Sequence, residues 1–121
     1  MKHCLLDEAH SEYNKARDEL AVGFAKGEFV EVAYHISCAT SLVLESFLVQ
    51  NNFPVPTVKS VSNMFTCAKV CGYSEITHLE SMLSLLDSWY DRTAVNISYV
   101  TIDKAFDIFA LSYNYVTDYV V

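Results

Sequence analysis

Several side chains in this sequence have the type and spacing to do chemistry. Cys67 and Cys71 stand four apart and His35 and Cys38 three apart, so on helices each pair shares a face. Four such ligands converging would suit tetrahedral zinc, but neither pair has zinc-knuckle spacing, and cysteine is among the residues most often buried simply for packing. Glu75 and His78 have the Glu-x-x-His interval that sets both groups on one metal in di-iron bundles. Such a site needs a second copy and further glutamates, and Glu31 with His35 or Glu8 with His10 have other intervals. A solvated first helical turn accounts for Glu75 and His78, and no metal or other cofactor is expected. Glycine-rich phosphate loops, Gly-x-Ser-x-Gly elbows and paired catalytic carboxylates do not stand out, which leaves hydrolase and dinucleotide chemistry without support.

Arg92 has the most informative setting of the cations. It follows Trp89 and Tyr90 and opens the stretch 92–99 (RTAVNISY), where helical periodicity breaks down. A guanidinium there can hold a phosphate by two parallel hydrogen bonds. An ion pair with Asp91 or Asp87 is the ordinary alternative for a surface arginine.

The elements that must position these groups read as helices. Leu6, Ala9, Tyr13, Ala16, Leu20 and Phe24 recur at spacings of three and four within 5–24, which predicts an amphipathic helix closed by Gly23 and Gly27. Over 28–50, Phe29, Ala33, Ile36, Thr40, Val43 and Phe47 line one face, and Val32, Ala39, Leu42 and Val49 extend it so far round that the helix must be central. The prolines at 54 and 56 stop it. A third helix is predicted over 57–71, with Val58, Val61, Phe65 and Ala68 inward and Gly72 after it. The fourth is capped by Ser74 or by Thr77 with Glu80, and carries Leu79, Met82, Leu83, Leu86, Trp89 and Tyr90. The fifth runs from Thr101 or Ile102 to Tyr119, with Ile102, Phe106, Phe109, Tyr113, Val116 and Val120 in step. The expectation is an all-α, up-and-down bundle of four long helices and a shorter one, forming a single domain over 1–121. Of the tyrosines, Tyr99, Tyr113, Tyr115 and Tyr119 crowd the C-terminus, either as a partner surface or as core residues whose hydroxyls reach the rim.

Composition narrows the class of function. Half the residues are hydrophobic (52%), enough for a core, and with only 3 Gly and 2 Pro a fold of many short strands and turns is excluded. The net charge of −7, with the eight cations scattered, argues against a broad phosphate-neutralising face, although two chains can bring cations together across a symmetry axis. No uninterrupted apolar run approaches membrane-span length, and the first ten residues turn acidic too early for a secretory signal. A cytoplasmic protein with reduced thiols at Cys4, Cys38, Cys67 and Cys71 is expected.

The stretches 27–39 (GEFVEVAYHISCA), 44–48 (LESFL) and 52–56 (NFPVP) resemble the second helix and following proline turn of the HEPN superfamily, small all-α domains of prokaryotic toxin–antitoxin pairs and nucleotidyltransferase neighbours. The likeness runs from about Leu5 to Tyr119 and rests on organisation; the family's usual Glu and His fall at Ser41 and Lys59. Catalytic members carry an Arg followed after four to six residues by a His, and two protomers join these groups in an RNA-cleaving cleft. Arg92 matches the Arg, but the His positions hold Ile97, Ser98 and Tyr99, so no imidazole with a pKa near neutrality is supplied. Tyr99 matches the tyrosine that a nucleotidyltransferase partner can adenylylate in some members. The resemblance therefore implies a homodimeric, non-catalytic binding or partner module, linked to a nucleotidyltransferase or a nucleotide, with Arg92, Asn96 and Tyr99 as its site. A degenerate ribonuclease toxin using Arg92 and Tyr99, and a structural oligomerisation module without ligand, are the alternatives.

Overall fold

The computed structural model describes residues 2–26, 28–73, 78–94 and 96–119; the side chains of residues 2, 3, 24 and 119 lie outside the description too. Gly27, Ser74, Glu75, Thr77 and Val120, to which the sequence assigned roles, and the Phe24 side chain fall outside the described residues. The fold is an all-α bundle: α1 (Lys2–Lys26), α2 (Val30–Gln50), α3 (Val61–Val70), α4 (Leu83–Tyr90), preceded by a 3₁₀ turn (Leu79–Met82), and α5 (Tyr99–Tyr119). Three helices are long, at 25, 21 and 21 residues; α3 has 10 and α4 has 8.

Helix α2 is the hub, packing against α1, α3, α4 and α5. Its wide apolar circumference explains the placement, because burying it takes neighbours on most sides. By length and composition α2 is apolar enough to cross a membrane, with a mean hydropathy of 1.5, but 67% of that window is buried inside the bundle. Side-chain pairings fix the directions. Glu12 meets His35, and Tyr13 and His10 meet Phe109 and Tyr113, so α1 runs antiparallel to both α2 and α5. Phe29 lies beside Tyr99 and Phe47 beside Tyr115, so α2 and α5 run in the same sense. The connection 51–60 doubles back along α2 until the Ser41 hydroxyl donates to the Lys59 carbonyl at 2.8 Å. Helix α3 then restarts in the sense of α2, and α4 returns antiparallel to α3, as Ser62–Asp87 and Lys69–Glu80 record.

Three helices end in one way. Beyond α2, α3 and α4 a single residue turns left-handed (Asn52 at φ 56°, Gly72 at 106°, Arg92 at 59°), and the two amides around the turn bond back to the last helical carbonyls. Asn52 therefore stops α2 before the prolines are reached. Helix α3 starts at Val61 instead of 57, because the Ser60 hydroxyl accepts the Asn63 amide there. Val58, expected inward, is consequently 63% exposed. Gly23 does not end α1, which continues to Lys26. It is needed for close approach: a Cβ at this position would lie 2.5 Å from the Glu28 carbonyl oxygen. Leu6, Ala9 and Ala16 of α1, Leu79, Met82, Leu86 and Trp89 around α4, and Ile102, Phe109 and Val116 of α5 are buried as their periodicity required.

Candidate functional site

Arg92 occupies the left-handed position that ends α4, where glycine or asparagine is the usual solution. An L-residue there costs roughly 1 kcal/mol. The turn aims the side chain back at the N-terminal end of α2. There the guanidinium lies 3.9 Å from the centroid of the Tyr34 ring, and Nη1 donates to Glu31 Oε2 at 2.9 Å. The ion-pair alternative was sound in kind but not in partner. Asp87 is engaged with α3, accepting both the amide and the hydroxyl of Ser62, and the partner of Arg92 is Glu31, far away in sequence. Arg92 and Glu31 each retain 48% of their side-chain exposure, so the contact is a screened surface pair.

Of the other residues assigned to this site, Tyr99 begins α5 at the same end of α2, its ring 6.3 Å from that of Phe29. Asn96 is exposed in the connection between α4 and α5. Ser98 starts α5 by accepting the Thr101 amide. Arg92 and Tyr99 thus share an end of the bundle but rest on different residues, Tyr34 of α2 and Phe29 just before it. Tyr113 and Tyr115 are partly buried against the core, Tyr113 on Phe109 and His10, Tyr115 on Tyr73 and Phe47, whereas Tyr99 is exposed.

Beneath Arg92 the surface opens into a cleft of about 550 Å³ between α1 and α2, closed by Lys59 and Tyr90. Tyr34 belongs both to its wall and to the Arg92 contact. Glu12 receives Lys15 at 2.9 Å and bonds His35 Nδ1 at 2.9 Å. Glu45, nine-tenths buried, receives Lys59 at 3.1 Å. Burial pushes the Glu12 carboxyl upward, but its bonds to His35 and Lys15 together outweigh burial and hold it below the ordinary carboxylate range. Burial raises the Cys38 thiol and the Tyr90 phenol, and a hydrogen bond with Cys38 raises Tyr34. All three therefore remain protonated near neutrality. Such an arrangement can bind; its donors and acceptors are already organised in pairs.

Sequence reasoning missed Tyr34, Glu12 and Glu45, and weighed Glu31 only as a metal ligand and Lys59 only as a departure from the family pattern. A signal was present. On an otherwise apolar helix, Glu31, His35, Cys38, Ser41 and Glu45 recur at spacings of three and four, a polar stripe that a buried helix carries only where something polar faces it. The candidate zinc ligands are divided, His35 facing α1 and Cys67 and Cys71 lying on and just after α3; among the described residues no three His, Cys, Asp or Glu side chains are placed to hold a metal. The four thiols are unpaired. Ser41 and Lys59, the positions of the family's Glu and His, meet each other in the cleft wall. No protein-family model, curated protein or solved structure matches the chain.

Proposed function

We propose that this chain is a non-catalytic binding module of the HEPN kind, acting as a cytoplasmic homodimer on a nucleotide ligand or beside a nucleotidyltransferase. The observation that carries the proposal is Arg92: its guanidinium lies over the Tyr34 ring and bonds Glu31, while the side chain stays half exposed. A planar cation held in this way is preorganised for a phosphate, which it can grip by two bonds. Left-handed backbone at the residue that bears the binding side chain fits a position kept for its side chain, since strain of this kind clusters at functional sites. The excess of carboxylates nearby favours a monophosphate over a polyphosphate. His10 packs on the rings of Tyr13 and Tyr113 and His35 bonds Glu12, partners other than Arg92, which supports the non-catalytic reading. Tyr99, Val100 and Leu111, respectively 41%, 76% and 48% exposed on α5, supply apolar surface for the dimer.

The test is equilibrium binding of nucleoside monophosphates together with an RNA-cleavage assay. Binding should be weak, abolished by Arg92→Ala and largely spared by Tyr99→Phe, with no cleavage. Robust RNA cleavage by the wild-type protein that disappears in Arg92→Ala or Tyr99→Phe would establish the toxin alternative. Light scattering should give a dimer, whose interface would bury roughly 1,200 Å² or more.

A further inference from the structure

The cleft below Arg92 has its own chemistry, independent of any nucleotide. Its size falls in the range of small-molecule sites, roughly 300–1,000 Å³. Its walls carry both signs of charge. On α1, Glu8 is exposed and has no partner among the described residues. Glu12 of α1 meets His35 of α2, so Glu8, one turn earlier on an antiparallel helix, stands near the level of Ser41. Ser41 in turn holds the backbone of Lys59 at that level. The Lys59 ammonium gives one bond to Glu45 and remains 48% exposed, with further N–H donors. A carboxylate with no ion pair among the described residues and a half-exposed ammonium therefore line one opening, together with Leu5, Leu42 and Tyr90, while the other ammonium of the lining, Lys15, is held by Glu12.

We infer that this cleft binds a small zwitterion, an α-amino acid with an apolar side chain, its ammonium on Glu8, its carboxylate on Lys59 and its side chain against Leu5, Leu42 and Tyr90. A ligand with one charge leaves the opposite wall unmatched. A polyanion meets Glu8, Glu12 and Glu45. The Tyr34, Tyr90 and Cys38 hydrogens, protonated at neutral pH, add donors without adding charge.

The experiment is an NMR titration of the full chain with L-leucine and L-phenylalanine, each compared with its amide, which lacks the carboxylate, and its N-acetyl derivative, which lacks the ammonium. The free amino acids should shift the methyl signals of Leu5 and Leu42, and each blocked form should bind about tenfold more weakly, the loss of one well-placed ionic contact. Glu8→Gln, at an exposed position with no side-chain hydrogen bond or ion pair among the described residues, should leave the melting temperature unchanged and weaken the free amino acids by about tenfold, bringing them level with their N-acetyl forms. Lys59→Met should do the same with respect to the amides. A nucleoside monophosphate should not displace the amino acid, since Arg92 is not among the lining residues, so a failure of nucleotide binding at Arg92 and a failure here are read separately. No shift at about 10 mM ligand, equal binding of free and blocked forms, indifference to Glu8→Gln, or displacement of the amino acid by a nucleoside monophosphate would each overturn the assignment.

Discussion

Two sides of α2 can be set against each other. Phe47, fully buried, packs edge-on to Tyr73 at 5.2 Å and beside Tyr115, in a region held by rings and aliphatic chains. Further round the same helix, Glu31, His35 and Glu45 meet Arg92, Glu12 of α1 and Lys59 through ion pairs and hydrogen bonds, and Tyr34 bonds Cys38. The first side draws its stability from removing apolar area from water, which tolerates no void. The second leaves a cleft open and keeps charges partly solvated, where each pair contributes little. The same helix therefore carries the fold on one side and the chemistry on the other, and substitutions on the two sides should differ in kind.

The largest effect is expected at Phe47→Ala, which removes a ring from the dry side and should lower the unfolding free energy in urea by about 3–5 kcal/mol. A loss below about 1 kcal/mol would mean that this side is not the principal core. Gly23→Val tests the hinge that sets α1 against α2. Its side chain would collide with the Glu28 carbonyl, so a loss of about 1–3 kcal/mol is expected, together with altered chemical shifts along the cleft.

On the cleft side, Glu45→Gln should cost about 1 kcal/mol, because its partner Lys59 is half solvated and recovers hydration when released. A loss as large as that of Phe47→Ala would erase the distinction between the two sides. Arg92 offers a finer comparison. Arg92→Ala keeps the left-handed strain and loses both Glu31 and Tyr34, at about 1 kcal/mol; Arg92→Gly relieves the strain and should come out within roughly 0.5 kcal/mol of wild type. Equal losses in the two variants would show that the backbone conformation is not the source of the difference.

The smallest effects are those of pH, and they have opposite signs at the two extremes. The Glu12 carboxyl is held below its ordinary range, so its contribution is complete above about pH 4.3, the usual glutamate value, and fades as pH falls through the lower folded value. Glu12→Gln should flatten that acid limb. Cys38, Tyr34 and Tyr90 are raised, so stability declines as pH rises past their ordinary values, and Cys38→Ser should delay the decline. Identical pH profiles for wild type and both variants would show that the cleft does not set them.

The buried stripe of α1, the all-round apolarity of α2 and the alignment of Ile102, Phe109 and Val116 in α5 were legible in the sequence, because helical periodicity is local and each residue's neighbours three and four away decide its face. Arg92 was also legible as a cation at a break in that pattern. What it touches was not. Its partner Glu31 lies across the bundle, brought within reach because the left-handed turn after α4 reverses the side chain toward α2. The cleft was likewise beyond local reading, since it exists only because 51–60 doubles back and sets Lys59 beside Ser41 and Glu45. Periodicity determined which faces are buried and which residues are available for chemistry; tertiary packing decided which of those residues meet, because ion pairs and ring contacts between distant segments depend on chain direction and turn geometry that no local pattern encodes.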